Sequence, residues 1–284
     1  MVRSLKILGT LLSFIVIFAL SQFAAIHLVM WLYGASAGVV MSSDFTFMLT
    51  YLVAMSLALL LVVVWCRMRD GHKYAIEHSA AGFSPTYIFL GVTLLIMLSV
   101  VLLPLQNIIP VDERSFPRGG WTLFAVVILA PIFEEVIYRG KLYGMLLRDV
   151  TPFWAVMLSS LCFGVVHLEP IVIVEAMLAG IVFSYFYIQR GSIFSSIILH
   201  MANNAFAYLL LMVKYQDQSA VDYIMDSRFF AVIYVVSAIG VLFAAVKIVR
   251  RLRKQKLILA YLSAEEVASA LMSENDNEAE IDVE

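Results

Sequence analysis

The amino-acid sequence predicts an all-α integral membrane protein, a bundle of about eight transmembrane helices with its N and C termini in the cytoplasm. Three observations predict it. Of 284 residues, 62% are hydrophobic and only 14% are charged, too little charge to cover a soluble domain. Apolar runs recur along the chain at the length, about 20 residues, that crosses ~30 Å of hydrocarbon. The charges are also segregated: residues 257–284 hold eight acids and no Lys or Arg, which leaves 19 basic against 13 acidic groups in residues 1–256.

The first span, Ile7 to Tyr33, follows Arg3 and Lys6 and precedes Ala35-Ser36-Ala37, a combination that also suits a cleaved signal peptide. Its apolar run is too long for that, since a signal peptide carries about 7 to 15 apolar residues, so it is read as a retained anchor. Spans two and three are Phe45 to Cys66 and Tyr87 to Leu105. Residues 1–106 form an anchor region, closed by an exposed loop from Asn107 to Gly120 with Pro110, Pro117 and a Gly119-Gly120 pair. Spans four to seven, Trp121 to Ile137, Phe153 to His167, Ile171 to Ile188 and Ile193 to Val213, form a core over residues 121–213 that holds nearly all the unusual polar residues. The fifth is short. The last span, Phe229 to Val249, continues into a basic flank, residues 229–256. Residues 257–284 are an acidic cytoplasmic tail, in which Ser263 and Glu266 make a capping box for a short helix to about Met272, with a disordered end beyond it.

Orientation follows from the basic residues. With the N-terminus inside, Arg3, Lys6, Arg67, Arg69, Lys73, Arg139, Lys141, Arg148, Arg190 and six residues of the last flank face the cytoplasm, and only Arg114, Arg118, Lys214 and Arg228 lie outside. Nucleic-acid binding is excluded by the apolar composition and the lack of an aromatic-basic motif. Cys66 and Cys162 lie in apolar runs and do not suggest a disulfide framework. No inverted repeat relates the two halves as in many transporters.

Ionisable groups at bilayer depth cost at least ~2.5 to 3.5 kcal/mol on insertion scales and so face the bundle interior. The candidates are His27, Glu134, Glu135, His167, Glu175 and His200, with the amides Asn203 and Asn204. His27 stands alone near one end of span one and is read as interfacial. In Glu134-Glu135-Val-Ile-Tyr-Arg139, a helix sets Glu135 and Arg139 at i and i+4, where they pair, and points Glu134 about 100° away toward another helix. Phe163 and His167 share a helix face, as do His200 and Asn204. Each segment alone is more often packing than chemistry, but each bears its own insertion cost.

The set Glu134-Glu135-x-x-x-Arg139, Phe163-x-x-x-His167 and His200-x-x-x-Asn204 resembles the motifs of the CAAX protease and bacteriocin-processing family of intramembrane endopeptidases. Gly191-Ser192 before the His200 helix fits as well. The resemblance covers roughly Trp121 to Val213. It implies that Glu134 is a general base activating a water held jointly with His167, that His200 and Asn204 stabilise the oxyanion, and that Glu135, Arg139 and Phe163 support them. The lone acid of the pair is also the one the spacing leaves without a local partner. Oxyanion donors matter, since losing one typically costs ~10² to 10³ in rate.

A zinc reading stays open: Glu134, His167 and His200 are acceptable ligands with water as the fourth. The form carried forward has no cofactor. The chain lacks His-Glu-x-x-His, Gly-x-Gly-Asp and Gly-x-Ser-Gly, the signatures of other intramembrane protease chemistries. The alternative function is a proton-coupled carrier or a non-catalytic scaffold, for which Glu175 is the strongest point. The expected partners are the lipid bilayer and a membrane-associated peptide or protein substrate, at the plasma membrane, reached through a cavity open toward the cytoplasm.

Overall fold

The computed structural model describes residues 2–35, 41–70, 84–109, 117–216 and 228–281, without the side chains of residues 2–3, 35, 70, 107, 214–216 and 255–281. Ala35-Ser36-Ala37 and residues 110–116 of the Asn107 to Gly120 loop lie largely outside it. All regular structure in the described residues is helical. Eight helices run α1 Val2–Ala35, α2 Ser43–Asp70, α3 Pro85–Ile108, α4 Gly120–Leu147, α5 Pro152–Val165, α6 Pro170–Arg190, α7 Ile193–Gln216 and α8 Arg228–Ile281. Seven are long and apolar enough to cross a membrane; α5 is the exception. Proline opens α3, α5 and α6, where its missing N–H would have had no helical partner anyway.

Three differences from the sequence reading have physical causes. The fourth span does not stop at Ile137 but continues to Leu147, because Arg139, counted among the cytoplasmic charges, is only 1% exposed and bonded inside the bundle. Lys141 likewise lies within α4 rather than beyond it. The fifth helix is 14 residues long and ends at Val165. The last helix runs unbroken to Ile281, without the interruption expected before Ser263 or the disordered end expected after Met272. Residues 257–281 contain neither Gly nor Pro and are rich in Ala, Leu and Glu, so nothing local stops it.

Cross-helix pairs give the topology. Thr10 meets Arg69 and Phe14 meets Trp65, so α1 and α2 are antiparallel. Phe45 meets Trp121, Tyr51 meets Glu134 and Cys66 meets Met145, so α2 and α4 run parallel. Gly119 meets Tyr208, Val126 meets Asn204 and Glu135 meets His200, so α4 and α7 are antiparallel. Helix α4 is thus central, with α2, α5 and α7 around it. Its start is pinned by the Tyr208 hydroxyl, 3.2 Å from both the N–H and the carbonyl of Gly119. A side chain at Gly119 would run into Asp44, which is why a glycine stands there.

Two wide π turns interrupt α4, at Ala125–Leu129 and Tyr138–Leu142, with a regular stretch Ala130–Ile137 between them. Such turns hold one residue more than an α turn and leave carbonyls available to other partners. Aromatic rings tie the helices together. Phe18 of α1 lies 5.6 Å from Tyr138 of α4, which lies 5.1 Å from Phe163 of α5. Phe163 lies 6.5 Å from Phe183 of α6, which stacks at 4.4 Å on His200 of α7. One chain of rings therefore crosses five helices and ends on a site residue.

Candidate active site

The stretch Ala130–Ile137 carries Glu134 and Glu135, and the bundle treats them differently. Glu135 is fully buried. Its Oε1 accepts hydrogen bonds from Arg139 Nη1 at 2.9 Å and from His200 Nδ1 at 2.9 Å, and its Oε2 accepts the Ser196 hydroxyl. Arg139 also donates to the Gly180 carbonyl at 2.9 Å and to Ser184 at 3.4 Å, and its guanidinium lies 4.8 Å from the Phe163 ring and 5.3 Å from that of Phe183. Gly180 leaves room for this: a Cβ there would stand 3.1 Å from Arg139 Nη2. The pairing of Glu135 with Arg139 expected from their spacing is present, inside a wider network that satisfies a buried charge on all sides.

Glu134 finds its partners on other helices, as the spacing predicts. Its Oε1 accepts the Tyr51 hydroxyl of α2 at 2.8 Å. Its Oε2 is 3.6 Å from His200 Nε2, beyond hydrogen-bond length. Both atoms therefore keep capacity for a third partner. Its side chain is 13% exposed, against 0% for Glu135.

The ring nitrogens can be assigned from their partners. His167 Nδ1 is 2.8 Å from the Phe163 carbonyl, and a carbonyl only accepts, so Nδ1 carries the proton and Nε2 is the bare nitrogen of neutral His167. His200 Nδ1 faces the Glu135 carboxylate and donates to it, which leaves Nε2 toward Glu134. Phe163 stands between the two histidines, 5.2 Å from the His167 ring and 5.7 Å from the His200 ring.

Simple alternation of spans would place Glu134 and His167 at opposite depths. The corrected helix lengths remove that conflict. Glu134 stands 14 residues before Arg148 and His167 stands 15 after Pro152, so each lies roughly 21–23 Å from the α4–α5 turn. The short fifth helix brings His167 to the level of the glutamate. Leu168, at φ 65°, makes the left-handed turn that ends this segment, a strained conformation for a leucine, and Pro170 then starts α6.

Asn204 donates through Nδ2 to the Val126 carbonyl at 3.0 Å, an acceptor within the first π turn. Its Oδ1 accepts Asn203 Nδ2 at 3.2 Å. Glu134, His200 and Asn204 are thus joined through α4, and His167 reaches them through Phe163. Glu175 stands apart: it accepts Gln106 Nε2 at 2.5 Å across the α3–α6 contact, a hydrogen-bonded acid on a different pair of helices from Glu134 and His200. His27 lies on the outer surface of α1, its Nδ1 2.9 Å from the Phe23 carbonyl.

Sequence reasoning missed Tyr51 and Ser196. Ser196 could have been found, since Ser196, His200 and Asn204 repeat every four residues on one face of α7. Tyr51 belongs to no motif, and only the packing of α2 beside α4 brings it in. No three His, Cys, Asp or Glu side chains among the described residues are grouped to hold a metal ion. A cavity of about 560 Å³ opens at the basic end of the bundle, and none of the four site residues lines it.

Residues 117–206 match the Rce1-like family, described as type II CAAX prenyl endopeptidase Rce1-like, which supports the resemblance carried by the three motifs. The chain is 33% identical over 85 residues to the "Putative membrane peptidase YdiL" of Bacillus subtilis (strain 168), covering 29% of this chain and 34% of that protein. It is 24% identical over 157 residues to the membrane-embedded CAAX protease MroQ of Staphylococcus aureus (strain USA300), covering 52% of this chain and 62% of that one. The chain thus spans about a third of the first relative and under two thirds of the second. No solved structure matches the chain at a significant level.

Proposed function

We propose that this Rce1-like integral membrane protein is an intramembrane endopeptidase that hydrolyses a peptide bond of a membrane-associated protein or peptide at Glu134, His167, His200 and Asn204. The observation that carries the reading is the unequal treatment of the adjacent acids. Glu135 is spent on Arg139, Ser196 and His200. Glu134 keeps one oxygen turned toward His200 without a hydrogen bond.

The chemistry follows from those free atoms. A water donating its two hydrogens to Glu134 Oε2 and to the bare Nε2 of His167 presents its lone pair to a carbonyl carbon. Glu134 takes the proton as the C–O bond forms, and later delivers it to the departing amine nitrogen. Tyr51 holds Glu134 by its other oxygen. His200 through Nε2 and Asn204 through its second N–H donate to the oxygen on which negative charge develops. The Glu135–His200 bond fixes the imidazole so that Nε2 aims at this point.

The carrier reading draws nothing from Glu175, whose hydrogen-bond partner is Gln106 on α3 rather than a relay to Glu134. The excess of basic residues at one end of the bundle supports a cytoplasmic side for that end and for both termini, and the family resemblance supports a plasma membrane. The test is cleavage of a membrane-tethered peptide library by purified protein in detergent, with and without chelator. Wild type cleaves in both, and Glu134→Gln lowers the rate by ~10² to 10⁴ while melting like wild type. Equal rates for wild type and Glu134→Gln sink the assignment.

A further inference from the structure

We propose that the cleft between the start of α1, the end of α2 and the turn after α4 binds the phosphate headgroup of an anionic phospholipid. This goes beyond the peptidase reading and uses none of its residues. The cleft is a cavity of about 560 Å³ whose lining includes Lys6, Gly9, Thr10, Trp65, Arg69, Arg148 and Asp149. That volume falls in the ~300–1,000 Å³ range of small-molecule sites. Three cations face it against one carboxylate, so the lining favours an anion.

Arg69 is set in place before any ligand arrives. Its guanidinium lies 5.6 Å from the Trp65 ring centre, its Nη1 donates to Thr10 Oγ1 at 2.5 Å and its Nη2 is 3.6 Å from Asp149 Oδ2. Thr10, itself buried, donates its hydroxyl to the Lys6 carbonyl at 2.9 Å and so completes a chain from helix backbone to guanidinium. Planar guanidinium groups suit phosphate oxygens, and little ordering remains for them when one is held by a ring and two polar partners.

Position argues for a lipid as the source of the phosphate. The cleft sits where three membrane helices end, among the basic residues of one face. On α1 itself, about a third of a turn round from Lys6, Gly9 and Thr10, Leu5, Leu8 and Leu12 are 61%, 52% and 52% exposed. A headgroup in the cleft lays its acyl chains along that apolar stripe, as basic pockets between membrane helices allow. Gly9 supplies the space: a Cβ there meets nothing within 4 Å.

The experiment is thermal melting of the purified full-length protein in detergent, titrated with dioctanoyl phosphatidylglycerol, dioctanoyl phosphatidylcholine or inorganic phosphate. Phosphatidylglycerol raises the melting temperature saturably and the other two do not at equal concentration. The half-saturating concentration rises about tenfold or more in Lys6→Gln/Arg148→Gln. It rises likewise in Gly9→Trp, which fills the cleft and leaves every charge, and is unchanged in Lys247→Gln on α8. An equal response to phosphatidylcholine, or to phosphate alone, overturns the lipid assignment. So does a phosphatidylglycerol response that neither cleft variant weakens.

Discussion

Glu135 of α4 accepts the Nδ1–H of His200 of α7 at 2.9 Å, while the same oxygen accepts Arg139 one turn away, also at 2.9 Å. A buried ion pair therefore doubles as the device that orients a candidate catalytic imidazole. Structure and chemistry meet in one carboxylate, and substitution there should affect both.

Glu135→Gln leaves the Arg139 charge buried without its counter-ion, and breaking such a pair costs about 3–5 kcal/mol. The melting temperature in detergent should fall clearly below that of Glu134→Gln, which removes a partly exposed charge. Equal melting temperatures for the two variants would show that the Glu135 network does not hold the bundle.

Tyr51→Phe keeps the ring and deletes the hydroxyl that holds Glu134. A hydrogen bond to a charged group contributes about 1.5–3 kcal/mol to stability, so the melting temperature should fall modestly, and kcat should drop by roughly 10- to 100-fold with KM near wild type because Glu134 is no longer held in place. A wild-type kcat would remove α2 from the catalytic geometry.

Asn204→Ala removes the donor one turn from His200 and leaves the Val126 carbonyl without it. As an oxyanion donor its loss should lower kcat by ~10² to 10³, and Asn204→Asp, which keeps the shape but not the N–H groups, should be no better. Recovery of activity in Asn204→Asp would assign Asn204 to packing instead.

Gly164→Ala puts a Cβ 2.5 Å from the Ile173 carbonyl of α6, a contact that only a shift of one helix can relieve. Close approach through small residues is how membrane helices pack, and overpacking costs typically ~1–3 kcal/mol. Unfolding should show that loss for Gly164→Ala and none for Gly34→Ala, whose Cβ meets nothing within 4 Å. Matching stabilities would mean that α5 and α6 are not tightly apposed.

The helices were legible wherever apolar runs ended in loops, and all eight expected spans correspond to helices. The fourth boundary was misread because Arg139 and Lys141 look like the end of a span. Charge marks a boundary only when it faces water, and the linear sequence, which does offer Glu135 as a partner, does not show that Gly180 and Ser184 of another helix complete the burial of Arg139. Within the site, the division of labour between Glu134 and Glu135 was readable from helical spacing, because i and i+4 contacts are local. Tyr51 was not, since an uncharged phenol in an apolar helix looks like any interfacial aromatic until the neighbouring helix is known. The common level of Glu134 and His167 was hidden by the same boundary error, two helix lengths being needed to see it.

The 14 residues of α5 amount to roughly 21 Å, well short of a ~30 Å hydrocarbon layer. Lipids beside this helix face a hydrophobic mismatch that the longer helices do not impose. The bilayer must dimple there, or water must fill the missing depth. Either way the acyl-chain length of the host membrane becomes a variable of the site, because it sets how far solvent lies from the residue just past the end of the helix, His167.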